Sequence, residues 1–292
     1  MKELIKKLRN YEIQIRKAIT SQMQGDFHSI FKGSGLEFDD VRPYQYGDDI
    51  RTIDWNVSAK GHGTFVKTFR ETKEQTIFFI VDVSGSQNIG AKGRTKFDIG
   101  KEICGVLAMS GAKEQSSIGL IAYSDRREIF LKPSKGMSKA YELVYQLIRL
   151  KPTSTRTNLS KAILFALNSI RRRSVIVMIS DFIDEGYLHN MKALARKHDL
   201  VLIHISDRRE TSLPKLGIIP VLDKETNQTI WVNTSFGDFR NRIAAHHKSR
   251  VDELVTFSKR NQINFLSVNT EEDYVPQLLK LFKSRNRIMK SA

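Results

Sequence analysis

The residues best placed to do chemistry lie in Val81-Asp82-Val83-Ser84-Gly85-Ser86-Gln87, directly after a run of Ile, Phe and Val. In one extended turn Asp82, Ser84 and Ser86 project a carboxylate and two hydroxyls to the same side, an oxygen-only donor set for a hard cation. A second acid, Asp181, follows the apolar run Ser174 to Ser180, and the intervening loop Ser154-Thr155-Arg156-Thr157-Asn158 offers further hydroxyls. Small oxygen ligands that leave room for retained waters suit Mg2+, with Mn2+ or Ca2+ as the other candidates. Taken singly, Asp82 and Ser84 read more simply as caps of a turn, because Asp and Ser satisfy orphan backbone N–H groups. The joint pattern favours the cation: a strand, then Asp-x-Ser-x-Ser, a Thr-rich loop before a helix, and a second strand ending in Asp.

Positioning those oxygens requires strands that end together. Thr76 to Val83, Ser117 to Tyr123, Ser174 to Ile179 and Leu200 to Ile205 are Ile- and Val-rich runs, as expected of strands buried on both faces. Helical patterns fill the gaps around residues 97–109, 140–150, 159–170 and 188–197, and Arg127 to Leu131 adds a short strand beside Ser117 to Tyr123. This alternation predicts an α/β fold, a doubly wound and mostly parallel sheet with helices on both faces. Ligands of such sheets bind outside the carboxyl ends of the strands, where Asp82 and Asp181 fall.

This α/β domain is expected over residues 76–283, with a hairpin inserted near 218–233, a helix near 239–259, a strand near 263–268 and a last helix near 274–282. Ahead of it, residues 1–75 read as an appendage: an amphipathic helix over 2–20 with one apolar face, then compact loops from Gly33 ending in a strand at Thr64 to Phe69. Residues 284–292 form a basic tail. Gly90 to Lys96 lacks the order of a phosphate-binding loop and reads as a flexible basic surface loop.

The 292 residues are long enough to bury a full core, and 40% hydrophobic residues argue against a disordered basic chain. The formal net charge is +16, of which residues 76–209 contribute +10, with 22 basic and 12 acidic side chains. That excess can steer an acidic partner toward the strand ends. A single cysteine, Cys104, excludes an intrachain disulfide framework and multi-cysteine zinc sites. No apolar run approaches the roughly 20 residues of a membrane-spanning helix, and nothing resembles a signal peptide, so a soluble, cytoplasmic chain is expected. Peripheral contact with an anionic membrane remains compatible with the charge.

Residues 76–210 resemble the von Willebrand factor A domain, whose metal-ion-dependent adhesion site carries the Asp-x-Ser-x-Ser signature. The resemblance implies metal ligation by Asp82, Ser84, Ser86, the loop threonine Thr157 and Asp181, with Arg156 where a glycine is common. Such domains use the ion to recognise a partner, usually through a partner carboxylate that completes the metal shell. A second segment, Arg42-Pro43-Tyr44-Gln45-Tyr46-Gly47-Asp48-Asp49-Ile50-Arg51-Thr52-Ile53-Asp54-Trp55-Asn56, is similar to the signature of the bacterial domain of unknown function 58 family. That resemblance implies action beside MoxR-type AAA+ ATPases in chaperone-like assembly or activation of other proteins. Within the segment, Asp48, Asp49 and Asp54 interleaved with Arg42, Arg51 and Trp55 suggest an ion-paired knot fixing the appendage to the sheet domain, with a partner-binding surface as the alternative.

The expected function is therefore a non-enzymatic, divalent-cation-dependent interaction module. Its partners would be a MoxR-type AAA+ ATPase or a client protein supplying an acidic ligand. Two rivals use the same residues differently. A Mg2+-dependent hydrolase would exploit the carboxylate and hydroxyl cluster, which is its only motivation; the paired acids Asp48 and Asp49 add none, since adjacent positions point apart in a strand and no nucleophile or His partner lies nearby. A nucleic-acid binder would exploit Arg126-Arg127, Arg171-Arg172-Arg173 and Arg208-Arg209, although no nucleic-acid-binding motif accompanies those runs and no specific nucleic acid is expected. The seven histidines form no zinc motif and read as solvated or satisfied in the core.

Overall fold

A computed structural model describes residues 33–61, 63–73, 75–91, 93–211, 215–226 and 228–281. The helix expected over residues 2–20 and the basic tail at 284–292 lie outside these residues. The chain divides into two compact units, residues 31–75 and the remainder.

In the smaller unit β1 (Gly33–Pro43) pairs antiparallel with β2 (Phe65–Lys73), in a register running from Gly33 opposite Lys73 to Pro43 opposite Phe65. The sequence suggested loops where β1 lies. Its strand signal is broken because the register shifts twice, between Gly33 and Leu36 and between Phe38 and Asp40, so the period of two does not persist. A single helical turn, α1 (Trp55–Ser58), sits between the strands, capped by Asp54, whose side chain accepts from the Asn56 and Val57 N–H groups.

The larger unit starts at β3 (Thr76–Asp82). Two-residue strands β4 (Gly90–Ala91) and β5 (Arg94–Thr95) then form a small antiparallel pair leading into α2 (Lys96–Lys113). Next come β6 (Ser117–Tyr123), β7 (Arg127–Ser134), α3 (Met137–Arg149), α4 (Leu159–Ser169), β8 (Val175–Ser180), α5 (Leu188–Lys197), β9 (Asp199–Ser206) and the short α6 (Arg208–Thr211). The hairpin strands β10 (Ile218–Leu222) and β11 (Thr229–Asn233) precede α7 (Gly237–Arg260), β12 (Asn264–Asn269) and a final helix α8 over 275–281.

Six strands form the main sheet in the order β12-β9-β8-β3-β6-β7, all parallel except β7 at the edge, which runs antiparallel to β6. The chain winds outward from β3 to β6 and β7, then returns to the other side of β3 and continues through β8, β9 and β12. This is the doubly wound order, and β3 and β8 flank the point where the winding reverses.

Both faces of the sheet are covered. Phe78, Ile80, Ile176, Met178 and Leu202 pack with Leu159, Ile163, Met191 and Leu194 of α4 and α5 in one apolar cluster. The alternate residues face α2, where a Cβ added to Gly100 would touch Ile179 and Ile205 and one added to Gly111 would collide with Ile77. Full burial of β3 and β8 on both sides explains their unbroken apolar text.

Candidate metal centre

Asp82 is the last residue of β3, and Asp181 follows the last residue of β8. Because these strands are neighbours, with Val81 opposite Ile179, the winding reversal brings the two acids to one crevice. Beyond Asp82 the chain makes a 3-10 turn over Gly85–Asn88, held by the Ser84 N–H donating to Asp82 Oδ1 at 2.9 Å. That turn keeps the Oγ atoms of Ser84 and Ser86 3.1 Å apart, both side chains being buried. Ser86 lies close enough to Asp181 to favour its ionised form.

Beyond Asp181 the backbone of Phe182 takes φ = 53°, a left-handed conformation that is unusual for a bulky aromatic residue. The Ser180 hydroxyl stabilises this bend by accepting the Phe182 N–H at 2.9 Å while donating to Asp82 Oδ2 at 2.7 Å. Such strain, on the order of 1–3 kcal/mol, persists where the surroundings over-determine the backbone. Here it falls immediately after Asp181, whose Oδ1 accepts the Ile183 N–H at 3.1 Å.

The loop carrying Thr157 is held at both ends. Glu128 on β7 accepts from the Thr153 and Ser154 N–H groups at 3.0 and 3.3 Å, and the Asn158 N–H donates to the Ser124 carbonyl at 3.2 Å. Asn158 then caps α4 by accepting the Lys161 N–H at 2.8 Å. The Gly85 N–H donates to the Thr155 carbonyl at 2.7 Å, joining this loop to the serine turn. Asp82, Ser84 and Ser86 are thus linked by direct hydrogen bonds, Asp181 faces them from the end of the neighbouring strand, and Thr157 stands on the adjoining loop.

Asp82 and Asp181 are both buried and repel each other. Burial, with the charge of Asp181 added, pushes the Asp82 carboxyl up to about 7, against the opposing hydrogen bonds from Ser180 and Ser84. Burial acts in the same sense on Asp181, but the Lys96 ammonium beside it prevails and holds that carboxyl below its usual range. Two carboxylates and the two serine hydroxyls, where negative charge is under-compensated, make a hard-oxygen donor set that fits a small divalent cation, while the Thr157 hydroxyl on the adjoining loop donates to Glu225 Oε1 at 2.6 Å. Each carboxylate oxygen has two acceptor sites; Ser180 and the Gln87 amide fill those of Asp82 Oδ2. Asp82 Oδ1 accepts the Ser84 N–H and the two Asp181 oxygens accept the Ile183 N–H and Lys96, which leaves acceptor capacity on these three. Among the described residues, no three His, Cys, Asp and Glu side chains group closely enough to hold a metal, so this centre depends on its hydroxyls.

Lys96 is the residue that sequence reasoning misplaced. It was expected in a flexible basic surface loop; instead it begins α2, wholly buried, with Nζ 2.6 Å from Asp181 Oδ2 and also paired with Glu210. Burial works against its charge, yet Asp181 and Glu210 together raise its pKa above the ordinary lysine value. The available signal was local. Thr95 and Asp98 form a reciprocal capping box, with the Asp98 N–H donating to Thr95 Oγ1 and the Thr95 N–H to Asp98 Oδ2, which starts a helix at Lys96.

Among the described residues, one ion pair joins side chains within the 42–56 segment. Arg42 donates to both oxygens of Asp48 at 2.8 and 2.6 Å, raising the pKa of Arg42 and lowering that of Asp48. Gly47, at φ = 105°, makes the turn that returns Asp48 to Arg42, and Asp48 also accepts the Gln45 N–H. Asp49 is a helix cap that accepts the Arg51 N–H at 2.9 Å, while Asp54 caps α1 and pairs with Lys67 at 3.6 Å. Within this unit Trp55 is 68% exposed and Tyr46 is fully exposed.

The basic runs are also distributed differently from the expectation. Arg171, Arg172 and Arg173 are exposed ahead of the first residue of β8, at the amino end of the strand and opposite Asp181. Arg126 and Arg208 follow the carboxyl ends of β6 and β9, on the side of the centre. His204 meets the core expectation, with Nδ1 2.9 Å from Ser267 Oγ and its ring stacked against Phe182 and Phe265.

Comparison with known proteins places these features in a family. An uncharacterized protein of Mycobacterium tuberculosis is 24% identical over 285 residues, covering 96% of this chain and 89% of the relative. Among solved structures, the conserved hypothetical protein BatB from Bacteroides thetaiotaomicron is similar at 14% identity and a TM-score of 0.45, over 73% of this chain and 98% of that one. The SpRpn10 VWA domain is similar at 12% identity and a TM-score of 0.37, over 72% of this chain and 95% of that one. The family described as "Protein of unknown function DUF58" matches residues 40–253, most of both compact units, and the chain belongs to that family.

Proposed function

We propose that the chain is a non-enzymatic protein-interaction module that captures a partner through a divalent cation, Mg2+ or else Mn2+ or Ca2+. The observation that carries this reading is the convergence of Asp82, Ser84, Ser86 and Asp181, with Thr157 on the adjoining loop, at the reversal point of the sheet. Asp82 and Asp181 would supply the charge, and Ser84, Ser86 and Thr157 the hydroxyl oxygens. The bound ion would supply an electropositive centre for an acidic side chain of the partner. The protein's own part is to preorganise these oxygens: Ser180, the Ser84 N–H and the Phe182 bend hold the carboxylates in place whether or not a partner is present.

A MoxR-type AAA+ ATPase, or a client that it assembles or activates, is the partner suggested by membership of the family. A cytoplasmic setting agrees with that partner. Among the described residues no helix is long and apolar enough to cross a membrane.

Capture from native lysate, with and without Mg2+, tests the reading. Wild-type protein is expected to retain a partner only with Mg2+, and Asp82→Ala to retain none while keeping its fold. Equal retention by the variant, or in the presence of a chelator, would sink cation-mediated recognition.

A further inference from the structure

We infer that the hairpin turn at 223–226 is an internal lid on the metal centre, with Glu225 standing where a partner's carboxylate would bind. The inference rests on the cation-dependent reading above and names what a partner has to displace.

Three contacts seat the turn. The Thr157 hydroxyl donates to Glu225 Oε1 at 2.6 Å, and the Thr155 hydroxyl donates to the Glu225 carbonyl at 2.7 Å. On the other side, Gly85 lies so close beneath the turn that a Cβ there would overlap the Lys224 carbonyl oxygen. The turn therefore touches both the Thr157 loop and the serine turn of the centre.

Its shape presents the acid. Asp223 accepts the Glu225 N–H at 2.9 Å and the Thr226 hydroxyl at 2.6 Å, and the Asp223 N–H closes on the Gln228 carbonyl at 2.9 Å. The support beneath it is slight, because β10 and β11 form a two-stranded sheet of their own. Isolated two-stranded hairpins are marginal in water, and Ile218, Leu222, Ile230 and Trp231 of this one are exposed. An element so weakly anchored can leave the centre without disturbing the main sheet.

An acid is also an unexpected choice at this point. Glu225 is partly buried in the company of three further acids, Asp181, Asp223 and Asp184. A glutamine would accept the same hydrogen bond without that repulsion. A carboxylate becomes favourable when a cation occupies the centre, which is the chemistry a partner's Asp or Glu would offer. In that arrangement a partner binds by exchanging its acid for Glu225, and the hairpin swings away with its apolar residues.

Amide hydrogen exchange on the full chain tests this, comparing wild type with Glu225→Gln, each with and without Mg2+. In wild type, Mg2+ is expected to slow exchange at 223–226 by roughly tenfold, as for an added local stability of about 1.4 kcal/mol. Millimolar glutarate, a free dicarboxylate, is expected to reverse that slowing. In Glu225→Gln the hydrogen bond to Thr157 persists but the response to Mg2+ is lost. Mn2+ binding followed by electron paramagnetic resonance separates the two ideas. Binding that survives in Asp82→Ala, or no binding in wild type, removes the cation reading and the lid with it. Mn2+ bound at the centre, with equal Mg2+ protection of the turn in wild type and Glu225→Gln, overturns the lid alone.

Discussion

Lys96 Nζ lies 2.6 Å from Asp181 Oδ2, and both side chains are buried, so a fixed ammonium already neutralises one of the two carboxylates that face each other across β3 and β8. Glu210 shares the same ammonium. This division leaves Asp82 as the under-compensated partner, consistent with a carboxyl pushed up to about 7.

Removing the ammonium should destabilise the fold strongly. Lys96→Met leaves Asp181 and Glu210 buried without their counter-ion, and breaking a buried pair from one side costs about 3–5 kcal/mol. Urea denaturation should show that loss, and the triple variant Lys96→Met, Asp181→Asn, Glu210→Gln should recover most of it. A single variant within about 1 kcal/mol of wild type would contradict the buried-pair account.

Asp82→Asn should have opposite effects with and without metal. In the presence of a chelator it removes one of two repelling buried acids, so the melting temperature should rise relative to wild type above pH 7. The amide also keeps a group able to accept from Ser180. Adding Mg2+ should stabilise wild type and leave Asp82→Asn unchanged. A calorimetric titration of both proteins gives the same comparison as heat of binding.

Gly85→Ala should unseat the hairpin while sparing the main sheet. The added methyl meets the Lys224 backbone, which cannot yield like the end of a flexible side chain, and it crowds Thr155 Cβ at 3.1 Å. Chymotrypsin cleavage after Trp231 should accelerate in the variant at temperatures where far-ultraviolet circular dichroism is unchanged. Unaltered cleavage would mean that the turn accommodates the methyl in place.

His204 should make stability fall in weak acid. Burial, aided by the charges of His247 and Lys96 and opposed by Asp181, lowers its folded pKa to about 4. The unfolded chain takes up the proton near 6.5, so His204 contributes fully above that pH and the contribution is lost as pH falls toward 4. The effect is on the order of 3 kcal/mol at its limit. His204→Phe, which keeps a ring between Phe182 and Phe265, should flatten the slope of stability between pH 6.5 and 4.

Much of the α/β unit was legible in the residues themselves. Strands buried on both faces advertise themselves as unbroken Ile and Val runs, so β3, β6, β8 and β9 could be located closely, and their alternation with helices sufficed for the doubly wound class. Asp82, Ser84 and Ser86 share one turn, so their mutual arrangement follows from local chain geometry. The strand β1 was not legible, because two register shifts interrupt its alternation.

What only the tertiary structure decided concerns residues distant along the chain. Lys96 and Asp181 are 85 positions apart, and no local pattern shows that an ammonium at a helix start will be buried against an acid after another strand. Thr157 and Glu225, 68 positions apart, meet only because the hairpin folds over the loop. Even the opposite poles of the basic runs follow from strand direction, which puts Arg171 to Arg173 at the amino end and Asp181 at the carboxyl end of β8. Local spacing determined which oxygens could form a centre. The order in which the strands are wound decided which charges surround it.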